Sequence, residues 1–407
     1  VANASFGFID SFAHGYFTIT FGRGMYSDTN GSLSVSSTVV RGNSSRSLQC
    51  DTTAEEYVQF SWVAGLRITM MAFYIRFQTN VPAEDTTIAR FQNANGNGEF
   101  GFDASSNRWW VQAGAGTRVE STTEVKANEW YRVVLEYDTN TGTATMRAQV
   151  GATGAPLITA TNSQSASDIT GHILGRIGTI STSRTWHISA WVNSATDGDF
   201  ETVAAWLSHD VQDMFPNADG THNIGASGDF GSDTTPTTAF SNATTDGYTY
   251  IDHQPFVGTP GADNRIVQLV SGTTNYMEFT FPDLVETVDA NIDAVRPIVA
   301  SVDEGGLGSP NQDVLLLLAD GTEVLTTGSV SWLDDSVDAP GTAPTWFRRM
   351  AIEPAGDGWT KSRVDGFKAR VGFSDGDPDP NFYDMCIEVA THKDVDEGSV
   401  SVIITDA

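Results

Sequence analysis

Cysteine is nearly absent. Two residues, Cys50 and Cys386, stand near opposite ends of a 407-residue chain. A secreted chain held by disulfides carries more, so packing must hold this one, and two buried thiols are favoured over one long-range bridge. Basic residues are also scarce: 22 Lys and Arg face 51 Asp and Glu, a net charge of −29. A surface this negative repels phosphate backbones and anionic bilayers, so neither nucleic acid nor membrane is expected as a partner. Charged residues make up only 18% of the chain, and the imbalance reads as solubility, not salt adaptation. No run approaches the ~20 apolar residues of a membrane helix. Residues Val1–Phe8 show neither the basic start nor the apolar stretch of a signal peptide, so no export signal is expected.

Catalytic patterns are missing too. There is no Gly-x-Ser-x-Gly elbow and no Walker loop. The seven histidines are scattered; His209 with Asp210 and Asp213, and His222 with Asp219, lack the spacing of a zinc site. A retaining glycosidase needs paired carboxylates on one strand face, and no Glu-x-Asp-x-Glu lies in a strand. Glu55 and Glu56 are adjacent and point to opposite faces. Gly366-Phe-Lys-Ala-Arg370 resembles part of an alginate-lyase signature, but the histidine-bearing strand that accompanies it is absent. The expectation is a chain that is not an enzyme.

What is present is β structure. Hydrophobic residues at 40% and aromatics at 10% are enough for real cores. Strands are expected at Ile68–Phe77, Trp130–Tyr137 and Thr143–Val150, the last two joined by the turn Asp138-Thr-Asn-Thr-Gly142. Further strands are expected at Tyr57–Trp62, Thr87–Gln92, Glu99–Asp103, Arg108–Gln112 and Trp186–Trp191. Thr202–Phe215 is the best helical candidate of the first half, with an irregular extended segment as its alternative. Residues 216–259 form a long polar stretch that fits an interdomain connection. The β pattern resumes after Arg265, with Asn275–Phe281, Asp289–Val302, Asp313–Leu318, Glu323–Thr326, Trp346–Ile352, Ala369–Phe373 and Tyr383–Val389, and Val400–Ile404 as an edge. Thr360 is placed to cap a short helix over Lys361–Phe367, with Val364 and Phe367 facing inward. The class is all-β: two antiparallel sandwiches, 1–215 and 260–407, joined by the polar linker 216–259.

Two features carry candidate sites. Ser374–Asn381 sets Asp375, Asp377 and Asp379 at alternate positions, the spacing that opens a calcium loop. An EF-hand needs Gly at the sixth position and Glu at the twelfth, where this chain has Pro380 and Cys386. A solvated Asp-Pro turn is favoured, with Ca2+ binding as the open alternative and no other cofactor expected. In Asn107-Arg-Trp-Trp110 successive side chains alternate, so Trp109 or Trp110 is a candidate for stacking on a sugar ring. Packing of both indoles at the sandwich rim is the favoured alternative.

The first half resembles the concanavalin A-like, or laminin G-like, jelly roll. The likeness rests on Ser47-Leu-Gln-Cys50, Phe73-Tyr-Ile-Arg-Phe77 and Asn128-Glu-Trp-Tyr-Arg-Val-Val-Leu-Glu-Tyr137 before its turn. The whole layout resembles large structural proteins of tailed bacteriophages, through Pro216–Gly220, Trp359-Thr360, Val364–Phe367 and Tyr383–Val389. That resemblance implies a virion component of the tail, baseplate or capsid surface. Other virion proteins and a host surface glycan are its implied partners, and a homo-oligomer its implied state. The alternatives are an exported bacterial glycan-binding module and a polysaccharide-degrading enzyme.

Overall fold

In a computed structural model, the chain is described over residues 6–12, 26–41, 44–151, 155–194, 209–224, 230–232, 238–251, 266–268, 275–285, 290–303, 311–324, 335–336, 345–347, 351, 358–375 and 380–393. Alternation of apolar and polar residues builds the first sandwich. Its early strands are β1 (Phe6–Asp10), β2 (Asp28–Asn30), β3 (Ser34–Ser36), β4 (Ser47–Cys50) and β5 (Glu56–Leu66). The middle strands are β6 (Ile68–Phe77), β7 (Thr86–Asn93), β8 (Gly98–Asp103), β9 (Arg108–Ala113) and β10 (Val119–Glu124). The last are β11 (Trp130–Asp138), β12 (Thr143–Val150), β13 (Ile158–Ser163), β14 (Ile169–Ile177) and β15 (Trp186–Ser194).

These strands form two antiparallel sheets. A back sheet runs β13-β12-β11-β6-β15-β4-β3, with β1 on β15; a front sheet runs β10-β9-β8-β7-β14-β5-β2. Alternate residues of β6 (Met71, Phe73, Ile75 and Phe77) meet Phe100, Phe102 and Trp109 of the front sheet in one core. The other face of β6, with Met70, Ala72 and Tyr74, points away from that core.

The second sandwich begins with β16 (Asp210–Met214), β17 (Ala218–Asp219), β18 (Phe230–Ser232), β19 (Thr238–Ala239) and β20 (Ile266–Gln268). It continues with β21 (Met277–Thr280), β22 (Ala290–Asp303), β23 (Asn311–Leu317), β24 (Glu323–Val324) and β25 (Asp335–Ser336). It ends with β26 (Thr345–Phe347), the one-turn helix α1 (Lys361–Val364), β27 (Lys368–Asp375) and β28 (Pro380–Lys393). One sheet is β19-β18-β20-β28-β22-β26 with β16 on β28; the other is β17-β21-β27-β23-β24 with β25 on β23. The fold is all-β, as the alternation implies, and of jelly-roll type, as the resemblance implies.

Several sequence expectations change here. Asp210–Met214, inside the helical candidate, is a strand along β28, with Asp213 opposite Glu388; residues 202–208 lie outside the described residues. Pairing with a long, buried neighbour overrides the helical spacing of Val211 and Phe215. The second sandwich thus draws its first strand from the end of the segment assigned by sequence to the first domain. The polar stretch 216–259, expected as a linker, follows that strand and contributes to the second sandwich. Its β17 pairs with β21, and Asp219 accepts from the amides of Gly247 (2.8 Å) and Tyr248 (2.7 Å). Val364 and Phe367 are buried as expected, but the Thr360 side chain makes no capping bond and the helix stops at Val364. Val400–Ile404 lies outside the described residues.

The two sandwiches meet along a buried seam. Ile9, Met70, Ala72, Tyr74, Val134, Ala190 and Val192 from the first pack against Val211, Ala294 and Ala390 from the second. Four alanines in that set let the sheets approach closely. Apolar packing here, joined by the buried bonds of Ser11 to Glu388, disfavours independent motion of the two halves. Cys50 and Cys386 are both buried, with no disulfide between them, and burial pushes the Cys50 thiol up to about 12, so it stays protonated and unreactive.

Candidate functional site

With the back sheet occupied at the seam, the front sheet offers the first sandwich's other broad face. Register places a lateral row of side chains across it. Gln112 on β9 stands opposite Glu99 on β8, and Glu99 opposite Arg90 on β7. Arg90 stands opposite Ile173 on β14, Ile173 opposite Gln59 on β5, and Gln59 opposite Asp28 on β2. Six strands thus contribute one residue each, five of them polar.

One ion pair within the row and hydrogen bonds to neighbouring groups hold its side chains. Arg90 Nε donates to Glu99 Oε1 at 2.8 Å, with both side chains partly exposed. Gln92 Nε2 donates to Gln59 Oε1 at 3.2 Å, and Gln59 Nε2 to Ser61 Oγ at 3.0 Å. Ser27 Oγ lies 2.9 Å from Ser61 Oγ, and Gln112 Nε2 donates to the Gly116 carbonyl at 2.8 Å. Gly171 makes room for the crossing, since a Cβ there would lie 2.7 Å from Gln92 Oε1. Planar amide, carboxylate and guanidinium groups held in this way can each accept or donate two hydrogen bonds in one plane. Glu99 and Asp28, the carboxylates of the row, stand four strands apart, about 19 Å at ordinary strand spacing. The row orients a ligand; it does not bring two acids together.

Both tryptophans proposed for sugar stacking are buried. Trp109 points into the core, stacked on Phe77 and Phe100 with centroids 5.5 and 5.2 Å away. Trp110 does lie on the outer face, as alternation implies, but it is flattened over Gly101 and covered by Arg118, whose Cζ is 4.0 Å from the ring. Arg118 is held in turn by Asp85 at 3.0 Å. Neither indole presents a free face, so the stacking assignment is corrected by burial.

Asp377 and Asp379 lie outside the described residues, and Asp375 closes β27. Among the described residues no group of three or more His, Cys, Asp or Glu is placed to hold a metal ion. His209 and His222 are buried. His222 Nδ1 accepts from the Glu278 amide at 3.0 Å while its Nε2 lies 3.3 Å from Asp219, a pairing that fixes the polar stretch to β21. Glu56, as its neighbour relation to Glu55 implies, turns inward, to a fully buried ion pair with Arg176 at 3.0 Å. Sequence reasoning missed Arg90, Glu99, Gln112 and Gln59, because cross-strand register alone aligns them.

No family model matches the sequence, and no curated protein does. Among solved structures, the cellulose-induced protein Cip1 is 13% identical, with a TM-score of 0.35 over 46% of this chain and 97% of that one. The catalytic domain of a glycoside hydrolase family 131 protein from Coprinopsis cinerea is 14% identical, with a TM-score of 0.30 over 41% and 78%. A family 131 β-glucanase catalytic domain from Podospora anserina is 15% identical, with a TM-score of 0.30 over 43% and 85%. Two of these three are catalytic domains, which corrects the expectation that the chain is not an enzyme: a missing linear motif does not settle that question. At these identities and TM-scores the likeness transfers no residue role to this chain.

Proposed function

We propose that the chain recognises a polysaccharide on the outer face of its front sheet. The observation that supports this reading is the lateral row of Gln112, Glu99, Arg90, Gln59 and Asp28, all partly open to solvent, with Arg90 and Glu99 paired at its centre. Sugar hydroxyls come in vicinal pairs, each donor and acceptor at once, and planar side chains satisfy such pairs without burying charge. A saccharide lying across the strands meets a polar group on five of the six strands, at a spacing of about 4.8 Å, with Ile173 between Arg90 and Gln59. The resemblance to tail proteins adds a setting to this proposal, the same face displayed in several copies on a phage particle.

The test is a panel of soluble polysaccharides in affinity electrophoresis, with release of reducing ends measured in parallel. Retardation by at least one polysaccharide, lost in Arg90→Ala and Gln59→Ala, supports recognition on this face. Release of reducing ends that Glu99→Gln abolishes adds hydrolysis to binding. Retardation by none, or retardation that both substitutions leave intact, overturns the reading.

A further inference from the structure

The outer face of the back sheet carries a second polar feature, next to the seam. Arg132 on β11 stands opposite Tyr74 on β6, and Tyr74 opposite Ser189 on β15. In the adjacent row Trp130 stands opposite Arg76, and Arg76 opposite His187. Arg41 closes over the first row, its Cζ 4.7 Å from the Tyr74 ring centroid.

Donors collect here without acceptors. Nε and Nη2 of Arg132, Nε of Arg76 and Oγ of Ser189 are enclosed and make no hydrogen bond to a protein group. Their neighbours are committed elsewhere. The Tyr74 hydroxyl donates to the His209 carbonyl at 2.9 Å, Ser47 Oγ donates to the Val39 carbonyl at 2.5 Å, and His187 Nε2 lies 3.1 Å from Gln78 Oε1. Arg76 Nη2 reaches Asn128 Oδ1 at 3.5 Å, the limit of a hydrogen bond.

Charge makes the arrangement more pointed. Burial pushes Arg132 down to about 10, and the charge of Arg41 pushes in the same direction. Asp210 is the acid that acts on Tyr74, but among the described residues neither Arg41 nor Arg132 has an ion-pair partner. In a chain of net charge −29, two guanidinium groups act on one tyrosine and neither is matched by an acid. Each enclosed, unanswered donor costs about 1–3 kcal/mol. An oxyanion removes both penalties at once, because guanidinium geometry matches two oxygens of a carboxylate. Trp130, half-buried against the seam cluster, places an aromatic ring beside these donors. A carboxylated sugar offers both counterparts, two oxygens for the arginines and a C–H face for the ring.

We propose that the back sheet's outer face around Tyr74 binds the carboxylate of an acidic saccharide, with Arg132 and Arg41 as its counter-charges. This site lies on the opposite face of the sandwich from the polar row and does not depend on it.

The experiment is calorimetric titration of the full chain at low salt with glucuronate, inorganic sulfate and glucose. Glucuronate is expected to saturate, sulfate to bind more weakly and glucose not to bind. Arg132→Gln and Arg41→Gln are each expected to weaken glucuronate binding about ten-fold, while Arg67→Gln, in the exposed pair with Asp168, leaves it unchanged. Thermal unfolding checks that each variant is folded; if Arg132→Gln is not, Arg41→Gln carries the comparison alone. No saturation by glucuronate at about 10 mM, or saturation that neither substitution weakens, overturns the proposal. Sulfate binding as tightly as glucuronate overturns its assignment to a saccharide.

Discussion

Arg296 stands directly opposite Glu388 on neighbouring strands of the second sandwich, and its Nε and Nη2 both reach Glu388 Oε2, at 2.9 and 2.5 Å. The other oxygen of Glu388 belongs to the first sandwich, accepting from the Ser11 amide (2.8 Å) and hydroxyl (2.7 Å). Asp10, bonded to the Tyr26 hydroxyl, lies 3.9 Å from the same guanidinium. All of these side chains are buried. One carboxylate is therefore shared between two domains, and its charge is answered from both.

Removing the cation should be worse than removing the anion. Arg296→Ala leaves Glu388 and Asp10 buried beside each other and is expected to cost about 3–5 kcal/mol. Glu388→Gln keeps much of the shape and should cost less. Urea-unfolding midpoints should fall in the order native, Glu388→Gln, Arg296→Ala. An unchanged midpoint for Arg296→Ala would contradict the role of the seam.

Acid should weaken the fold through two imidazoles. His172 is buried edge-on to Phe91, centroids 4.9 Å apart, and burial pushes it from 6.5 down to about 3. Burial, with Arg76 beside it, pushes His187 down to about 4. Both stay neutral when folded and take protons more readily unfolded, so their stabilisation is complete above pH 6.5 and lost as pH falls towards 4 and then 3. Asp213 opposes them: burial, with the Glu388 charge, raises it from 3.8 to about 6, so it favours the fold as pH falls through 6. Glu388, also raised by burial, acts with Asp213, and the two offset part of a loss of about 1.4 kcal/mol per pH unit for each imidazole. Denaturant unfolding of the native chain and of His172→Asn at stepped pH checks this: below pH 6 the native chain should lose more stability than the variant.

Gly101 should tolerate no side chain. A Cβ there would sit 2.3 Å from the Thr86 carbonyl and 2.3 Å from Trp110 Cζ2. Gly101→Ala is expected to cost about 1–3 kcal/mol through overpacking. Thermal unfolding reads it, and an unchanged midpoint would show that both Trp110 and the Thr86 backbone can give way.

The parts of the fold legible in sequence are those with local rules. Ile68–Phe77 and Thr143–Val150 are strands with the expected bounds, because alternation and turn residues lie within each segment. Ile169–Ile177 escaped notice. Its two glycines, His172 and Arg176 hide a strand that is buried almost throughout, with the charge answered by distant Glu56. The outer placement of Trp110 was legible and its burial was not, since the covering Arg118 comes from beyond the strand. The polar row could not be read at all, because its residues come from five separate segments.

Polysaccharide bound to the front sheet's outer face shields the backbone beneath it, which hydrogen exchange reads with and without a polysaccharide that retards the chain. Slower exchange is expected in 56–61, 86–93, 98–103 and 108–113, with the seam strands Asp210–Met214 and Pro380–Lys393 unaffected. Protection confined to the second sandwich, with those four segments unchanged, would contradict binding on this face.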